Sequence, residues 1–299
     1  MNKLNDDSWV WWLHEHDNKE EDDEEQDNKD ECYSSKNIPL KSMNISTELQ
    51  SKLLSFYRIH DFSELYKSYN WLIDTWKNGF PKIFEIENQM HPLAHNNQVR
   101  QEHVMAIVDW GHLPSKANVR CHTEVLKIPV FQSNGLPLPQ LLGTPNAPLK
   151  ELCKQTNGLG PTYLSKVMRF LAPIEYGAID TRLVRIFGKS ANNEKESWLS
   201  LKVQIGQKGR YYIPVCQADW PDDYSKWINI LRFFANIANN PETGQFCPHP
   251  PTFIDRKLRS KGKWGCADIE MALFSYASQQ INYELEQALS TENRPNLKG

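Results

Sequence analysis

Apolar side chains recur at helical spacing along most of the chain. From Ser46, a Ser-Thr-Glu-Leu start resembles a helix N-terminus, and Leu49, Leu53, Leu54 and Tyr57 then share one face. Ser63 begins a second predicted helix with Leu65, Tyr69, Leu72, Ile73 and Trp76 on one side, ended by Gly79-Phe80-Pro81. A third runs from about Gln98 through Val104, Ile107, Val108 and Trp110. Residues 112–148 are rich in Pro, Asn and Gly and predict loops and short helices. A short helix over Leu149–Asn157 stops at Gly158, a longer one follows from Pro161 to about Leu171, and another starts at Asp180 and stops at Gly188. Helical spacing returns over Asp222–Asn239 and from Ala267 to about Leu289, flanking a basic, Pro-rich loop over 241–266.

Two stretches break this rhythm. Leu199–Ile205 and Arg210–Val215, joined by Gly206-Gln-Lys-Gly209, predict a β-hairpin. Residues 14–35 are almost free of apolar side chains and cannot offset the entropy of ordering, so disorder is expected there. Trp9, Trp11, Trp12 and Leu13 ahead of them form an isolated apolar patch.

Charge divides the same way. Residues 1–34 carry 13 acidic and 3 basic side chains, a balance of −10, while the remaining 31 basic and 24 acidic side chains give +7. An acidic tail on a basic body suits a nucleic-acid partner. Such a tail would compete with DNA for the basic face, pack on the body, or bind a protein. No apolar run reaches a membrane span, and the N-terminus lacks the pattern of a signal peptide. A cytoplasmic protein, nucleoid-associated if bacterial, with no membrane contact is therefore expected. The six cysteines (Cys32, Cys121, Cys153, Cys216, Cys247, Cys266) form no CxxC pair, and free thiols are expected. Cys247 and His249, with Cys266, could offer metal ligands, but chance proximity in a loop is the simpler reading, and no metal or other cofactor is expected. Pro92 between His91 and His95 argues for a loop or a helix start there.

The stretch that carries chemistry is Gly158-Leu159-Gly160-Pro161-Thr162 followed by Ile179-Asp180-Thr181-Arg182. Two glycines between helices allow a tight turn, and a new helix start presents backbone N–H groups to a phosphate. Lys166 and Arg169 add positive charge on that helix. This run, over about residues 149–188, resembles the helix–hairpin–helix (HhH-GPD) DNA glycosylase superfamily. The resemblance implies a mostly α, two-lobed helical fold, here with an added β-hairpin. The corresponding division is an acidic tail (1–45), helices packing with the C-terminal ones (46–97), a lobe with the hairpin and the carboxylate (98–190), the β-hairpin insertion (191–221) and C-terminal helices (222–299).

It also implies roles. Asp180 would be the catalytic carboxylate, stabilising positive charge on the sugar as the base leaves and orienting or deprotonating water; as an N-cap it would be held in place for this. Gly158, Leu159, Gly160, Thr162 and Lys166 would contact phosphate. Strand-cutting relatives place a Schiff-base lysine where this chain has Thr162, so base excision without a dedicated lyase step is expected. The four-cysteine iron–sulfur loop of some branches is absent from the sequence. A base flipped out of the duplex needs an aromatic or apolar pocket. Trp110, Tyr211 and Tyr212 are the leading candidates, among Trp71, Trp76 and Trp264, and the hairpin with Arg210 could overhang the site for an unusual or bulky base, including one in modified phage DNA. The reading is a monomeric, monofunctional DNA N-glycosylase acting on double-stranded DNA at a damaged or modified base, in repair or in defence. A non-catalytic DNA-binding protein that keeps the hairpin is the alternative. A Mg²⁺-dependent phosphodiesterase would need a carboxylate cluster, and Asp222-Asp223 and Asp268/Glu270 read instead as helix starts.

Overall fold

A computed structural model describes residues 45–131, 143–189, 197–206, 209–242 and 244–292. The acidic tail, Trp9, Trp11 and Trp12 lie outside them. The described chain is mostly helical, with ten α-helices and three two-stranded ribbons.

Local chemistry sets several helices where the sequence places them. Ser46 caps α1 (Thr47–Ile59) by accepting from the Leu49 amide, and Leu49, Leu53 and Tyr57 are buried. The predicted second helix is corrected. Asp61 caps a short α2 (Phe62–Lys67), and the chain then turns through a ribbon of β1 (Asn70–Trp71) and β2 (Asp74–Thr75). Leu72 sits between the strands with a positive φ, and Leu72 and Ile73 are exposed. Their helical spacing is thus accidental, since the turn points both outward.

A helix then begins where the sequence predicts only a stop. In α3 (Pro81–His95) Pro81 stands at the first turn, where its missing N–H costs nothing. The buried Asp74 carboxylate accepts from the Lys82 and Ile83 amides, capping α3 from the neighbouring ribbon. Pro92 lies inside its last turns, and His91 and His95 are ring neighbours on that helix rather than loop residues. α4 (Gln101–Trp110) follows as expected.

α5 (Ala147–Gln155) and α6 (Pro161–Leu171) flank the glycine turn, and α7 (Thr181–Phe187) starts after Asp180. β3 (Arg120–Cys121) pairs antiparallel with β4 (Thr156–Asn157), which leads into the turn. The expected hairpin exists but is shorter: β5 (Gln204–Ile205) and β6 (Tyr211–Tyr212) pair, whereas Leu199 and Leu201, like Trp198 before them, are buried in the core. α8 (Asp222–Ala238), a short α9 (Pro251–Asp255) and the long α10 (Cys266–Glu292) complete the chain.

Two packing neighbourhoods share one continuous apolar core. α6 packs on α3, α4 and α5, while α10 packs on α2, α7 and α8. They are joined by buried ions. Glu87 of α3 accepts from Arg169 of α6 at 2.7 Å and from Arg259 at 2.7 and 3.1 Å, and Arg259 also holds both oxygens of Asp268 at 3.0 Å. Arg169 is therefore a core ion and not a charge offered to DNA. No helix of the described residues is long and apolar enough to cross a membrane.

Candidate functional site

Gly158 shows why the turn needs glycine. Its φ of +79° is left-handed, and a Cβ there would sit 2.5 Å from the Asn118 carbonyl oxygen. The turn is thus pressed against the backbone that enters β3. Gly158 is exposed, Leu159 packs on the core, and Gly160 begins α6 with no side-chain cap and open space around it. Gly158→Ala should lose at least about 1–2 kcal/mol of stability from the left-handed backbone alone, before the clash is counted. Denaturant titration should show that loss.

Asp180 is the N-cap of α7. Its Oδ1 accepts from the Arg182 amide (2.8 Å) and the Leu183 amide (3.1 Å). Its Oδ2 has no hydrogen-bond or ion-pair partner among the described residues. One oxygen is fixed and the other is available. The segment before Asp180 is held from three sides. Ser165 Oγ accepts from the Ile179 amide at 3.0 Å, while the Trp227 indole donates to the Ala178 carbonyl at 2.8 Å and the Tyr224 hydroxyl donates to Gly177 at 3.3 Å. Because Ser165 precedes Lys166 and Ile179 precedes Asp180, this serine bond sets the two ionisable groups in register.

The structure gives Lys166 a setting other than an exposed phosphate contact. The residue is 6% exposed, and its ammonium faces the rings of Trp110 (4.9 Å), Trp71 (5.1 Å) and Tyr163 (5.2 Å). The box is braced by hydrogen bonds. Trp71 donates to the Trp110 carbonyl (3.3 Å), Trp110 to Asp74 Oδ2 (2.7 Å) and the Tyr163 hydroxyl to the Gly111 carbonyl (2.5 Å). Gly111 closes it, for a Cβ there would lie 2.6 Å from the Tyr163 ring and 3.2 Å from Lys166 Nζ. Arg182, two residues beyond Asp180, lies over Trp71 and Phe274 and forms the adjoining wall. Burial lowers the Lys166 pKa, opposed first by Asp180 and then by Glu270. Burial also raises the Tyr163 hydroxyl to about 12, with Asp180 adding to the effect.

Glu270, which the sequence assigns to a helix start, is a buried carboxyl of this site. It sits 3.8 Å from Arg169, and burial pushes its pKa to about 8, with Asp180 raising it and Arg169 and Lys166 pulling it down. In the unfolded chain it ionises near 4.5. Between these values the folded state holds a proton that the unfolded state has lost, so stability should fall as pH rises through that window. Glu270→Gln, which keeps the neutral shape, should flatten this part of the profile when unfolding is followed from pH 5 to 9.

The other base-pocket candidates are dispersed. Tyr211 and Tyr212 are exposed on the hairpin, where Arg185 of α7 covers Tyr211 at 4.4 Å and Tyr212 donates to Gln204 at 2.7 Å. They therefore lie beside the far end of α7, while Trp110 lies in the lysine box. Trp76 donates to the Pro248 carbonyl and Trp264 to the Gln245 carbonyl, so both are struts between segments. Thr162 is half-buried in the first turn of α6. Cys247, His249 and Asp268 place ligand atoms within 4.8 Å of one another, with Asp268 where the sequence offers Cys266. Arg259 holds both Asp268 oxygens, so a metal there would have to displace a buried guanidinium. Cys266 instead interacts with Arg232.

No protein-family model, curated protein or solved structure matches this chain.

Proposed function

We propose that the protein is a DNA N-glycosylase that draws a damaged or modified base out of double-stranded DNA and hydrolyses its bond to the sugar, leaving an abasic site. The observation that carries this reading is Asp180, with one oxygen fixed by two backbone amides and the other unengaged, following the glycine turn through a serine-linked register. A carboxylate held in this way needs little reorganisation when positive charge develops on the sugar, which is where preorganised electrostatics act most strongly. The open start of α6 after Gly160 suits a phosphate, which would fix the strand while the nucleotide rotates. Trp71 and Trp110, with Arg182 across the adjoining wall, supply apolar and cationic surface against which an extrahelical nucleotide can lie.

The test is to incubate duplex DNAs bearing varied modified bases with the protein and to label new aldehydes with an aldehyde-reactive probe. An abasic sugar carries such an aldehyde whether or not the strand is later cut. Labelling on at least one DNA, growing with time, is expected. Absence of labelling on every DNA tested would overturn the reading.

A further inference from the structure

We propose that the β5–β6 ribbon is a second DNA contact of this protein, a basic and aromatic surface that holds the duplex beside the extruded nucleotide. The inference rests on the reading of the protein as one that acts on duplex DNA. It gives Tyr211 and Tyr212 a place on the flanking DNA instead of in the base pocket.

Positive charge is concentrated here. Residues 181–218 carry 7 basic and 2 acidic side chains, a balance of +5, out of the +7 carried by all residues after 34. Exposed lysines elsewhere meet a carboxylate, as Lys67 does with Glu64, Lys116 with Asp109 and Lys154 with Glu151. Lys202, which leads into β5, and Arg210, which leads into β6, are exposed and make no ion pair among the described residues. Like charges gathered without counter-charges repel one another and suit a polyanion.

Apolar exposure is concentrated in the same place. Ile205 is 64% exposed, Tyr211 41% and Tyr212 45%. Ile205 stands opposite Tyr211 and Gln204 opposite Tyr212, so each face of the ribbon presents one ring. Both rings are already held, Tyr212 by its bond to Gln204 and Tyr211 under the Arg185 guanidinium. Rings fixed in this way lose little freedom when a base or sugar lies against them. Cations interleaved with aromatic faces are what a nucleic-acid strand needs, the first for its phosphates and the second for its bases.

The ribbon is tied to the helix that carries the carboxylate. The Lys189 amide donates to the Leu201 carbonyl at 2.9 Å and the Trp198 amide to the Phe187 carbonyl at 2.8 Å, joining the end of α7 to the segment that leads into β5. The buried Asp223 accepts from the Ser200 and Leu201 amides, and Gln217 bonds both the amide and the carbonyl of Lys202. Asp180 caps the start of α7, and Arg185 stands five residues on, a rise of about 7.5 Å. That is roughly two nucleotide steps of a DNA strand. DNA gripped by the ribbon is thereby set in register with Asp180.

The experiment uses the full chain and a fluorescent duplex carrying a tetrahydrofuran abasic analogue, which has no base to release. Its dissociation constant is measured across a range of salt for the wild type, for Lys202→Gln with Arg210→Gln, and for Tyr211→Ser with Tyr212→Ser. Removing the two charges should weaken binding at low salt by about 10-fold and lower the slope of log Kd against log salt by about 2. Removing the two rings should weaken binding by about 10-fold with the slope unchanged. In the wild type, photocrosslinks from iodouracils on either side of the analogue should map to Tyr211 or Tyr212. Unchanged affinity and slope in the charge variant would overturn the proposal, and so would crosslinks that all map away from the ribbon. The crosslink map decides the matter even if a variant does not fold. Base release by the wild type, together with unchanged duplex binding by the variants, would sink this proposal and leave the glycosylase reading standing.

Discussion

Asp180→Asn should lower base release by about 10²–10⁴-fold while duplex affinity stays near wild type, the range for losing a general base or a preorganised charge stabiliser. The asparagine side-chain oxygen can still accept from the Arg182 and Leu183 amides, so the α7 cap and the local fold should persist. What is lost is the negative charge at the unengaged oxygen. In the proposed reaction that charge would act on the cationic sugar formed as the base departs and would contribute little to binding the duplex, so the loss should fall on the chemical step. Single-turnover base release and equilibrium duplex binding, measured on the same preparation, separate the two. Wild-type release by a folded Asp180→Asn variant would remove the carboxylate from the mechanism.

The second large effect is on stability. Glu87→Gln should destabilise the protein by about 3–5 kcal/mol, the usual cost of removing one member of a buried ion pair. Glu87 is 1% exposed and accepts from two guanidiniums, Arg169 on α6 and Arg259 ahead of α10. Arg259 retains Asp268, but Arg169 retains only Glu270 at 3.8 Å, a carboxyl that holds its proton up to about pH 8. The substitution thus leaves buried positive charge short of a counter-charge at the seam of the two packing neighbourhoods. Urea unfolding should show a lower midpoint with an unchanged slope. Glu64→Gln, at the exposed pair of Glu64 with Lys67, should change stability by no more than about 1 kcal/mol and serves as the comparison.

The parts of this molecule legible in the sequence are those written by local chemistry. Ser46, Pro161, Asp180 and Gly188 mark helix ends that the structure keeps within a residue or so, because capping and backbone freedom act over a few positions. The glycine turn was equally local. Residues 63–76 misled because apolar spacing does not reveal which side faces the core: Leu72 and Ile73 fit a helical face yet stand exposed on a ribbon tip. α3 was hidden because its cap comes from Asp74, several residues back and outside the helix. Helical periodicity is also silent about contacts between distant segments. Lys166 reads from the sequence as a phosphate contact because Trp71 and Trp110 belong to other elements, and Arg169 reads as added positive charge on its helix because Glu87 lies 82 positions away. Glu270 could be recognised only once α10 was seen to press its first turns against the segment that carries Asp180.

The most direct measurement of the central claim is mass spectrometry of free bases released from varied genomic DNAs, heavily modified phage DNA among them, by wild type and Asp180→Asn side by side. At least one base should appear with the wild type and be absent, or reduced by orders of magnitude, with the variant. No free base from any DNA, or equal amounts with both proteins, would contradict it.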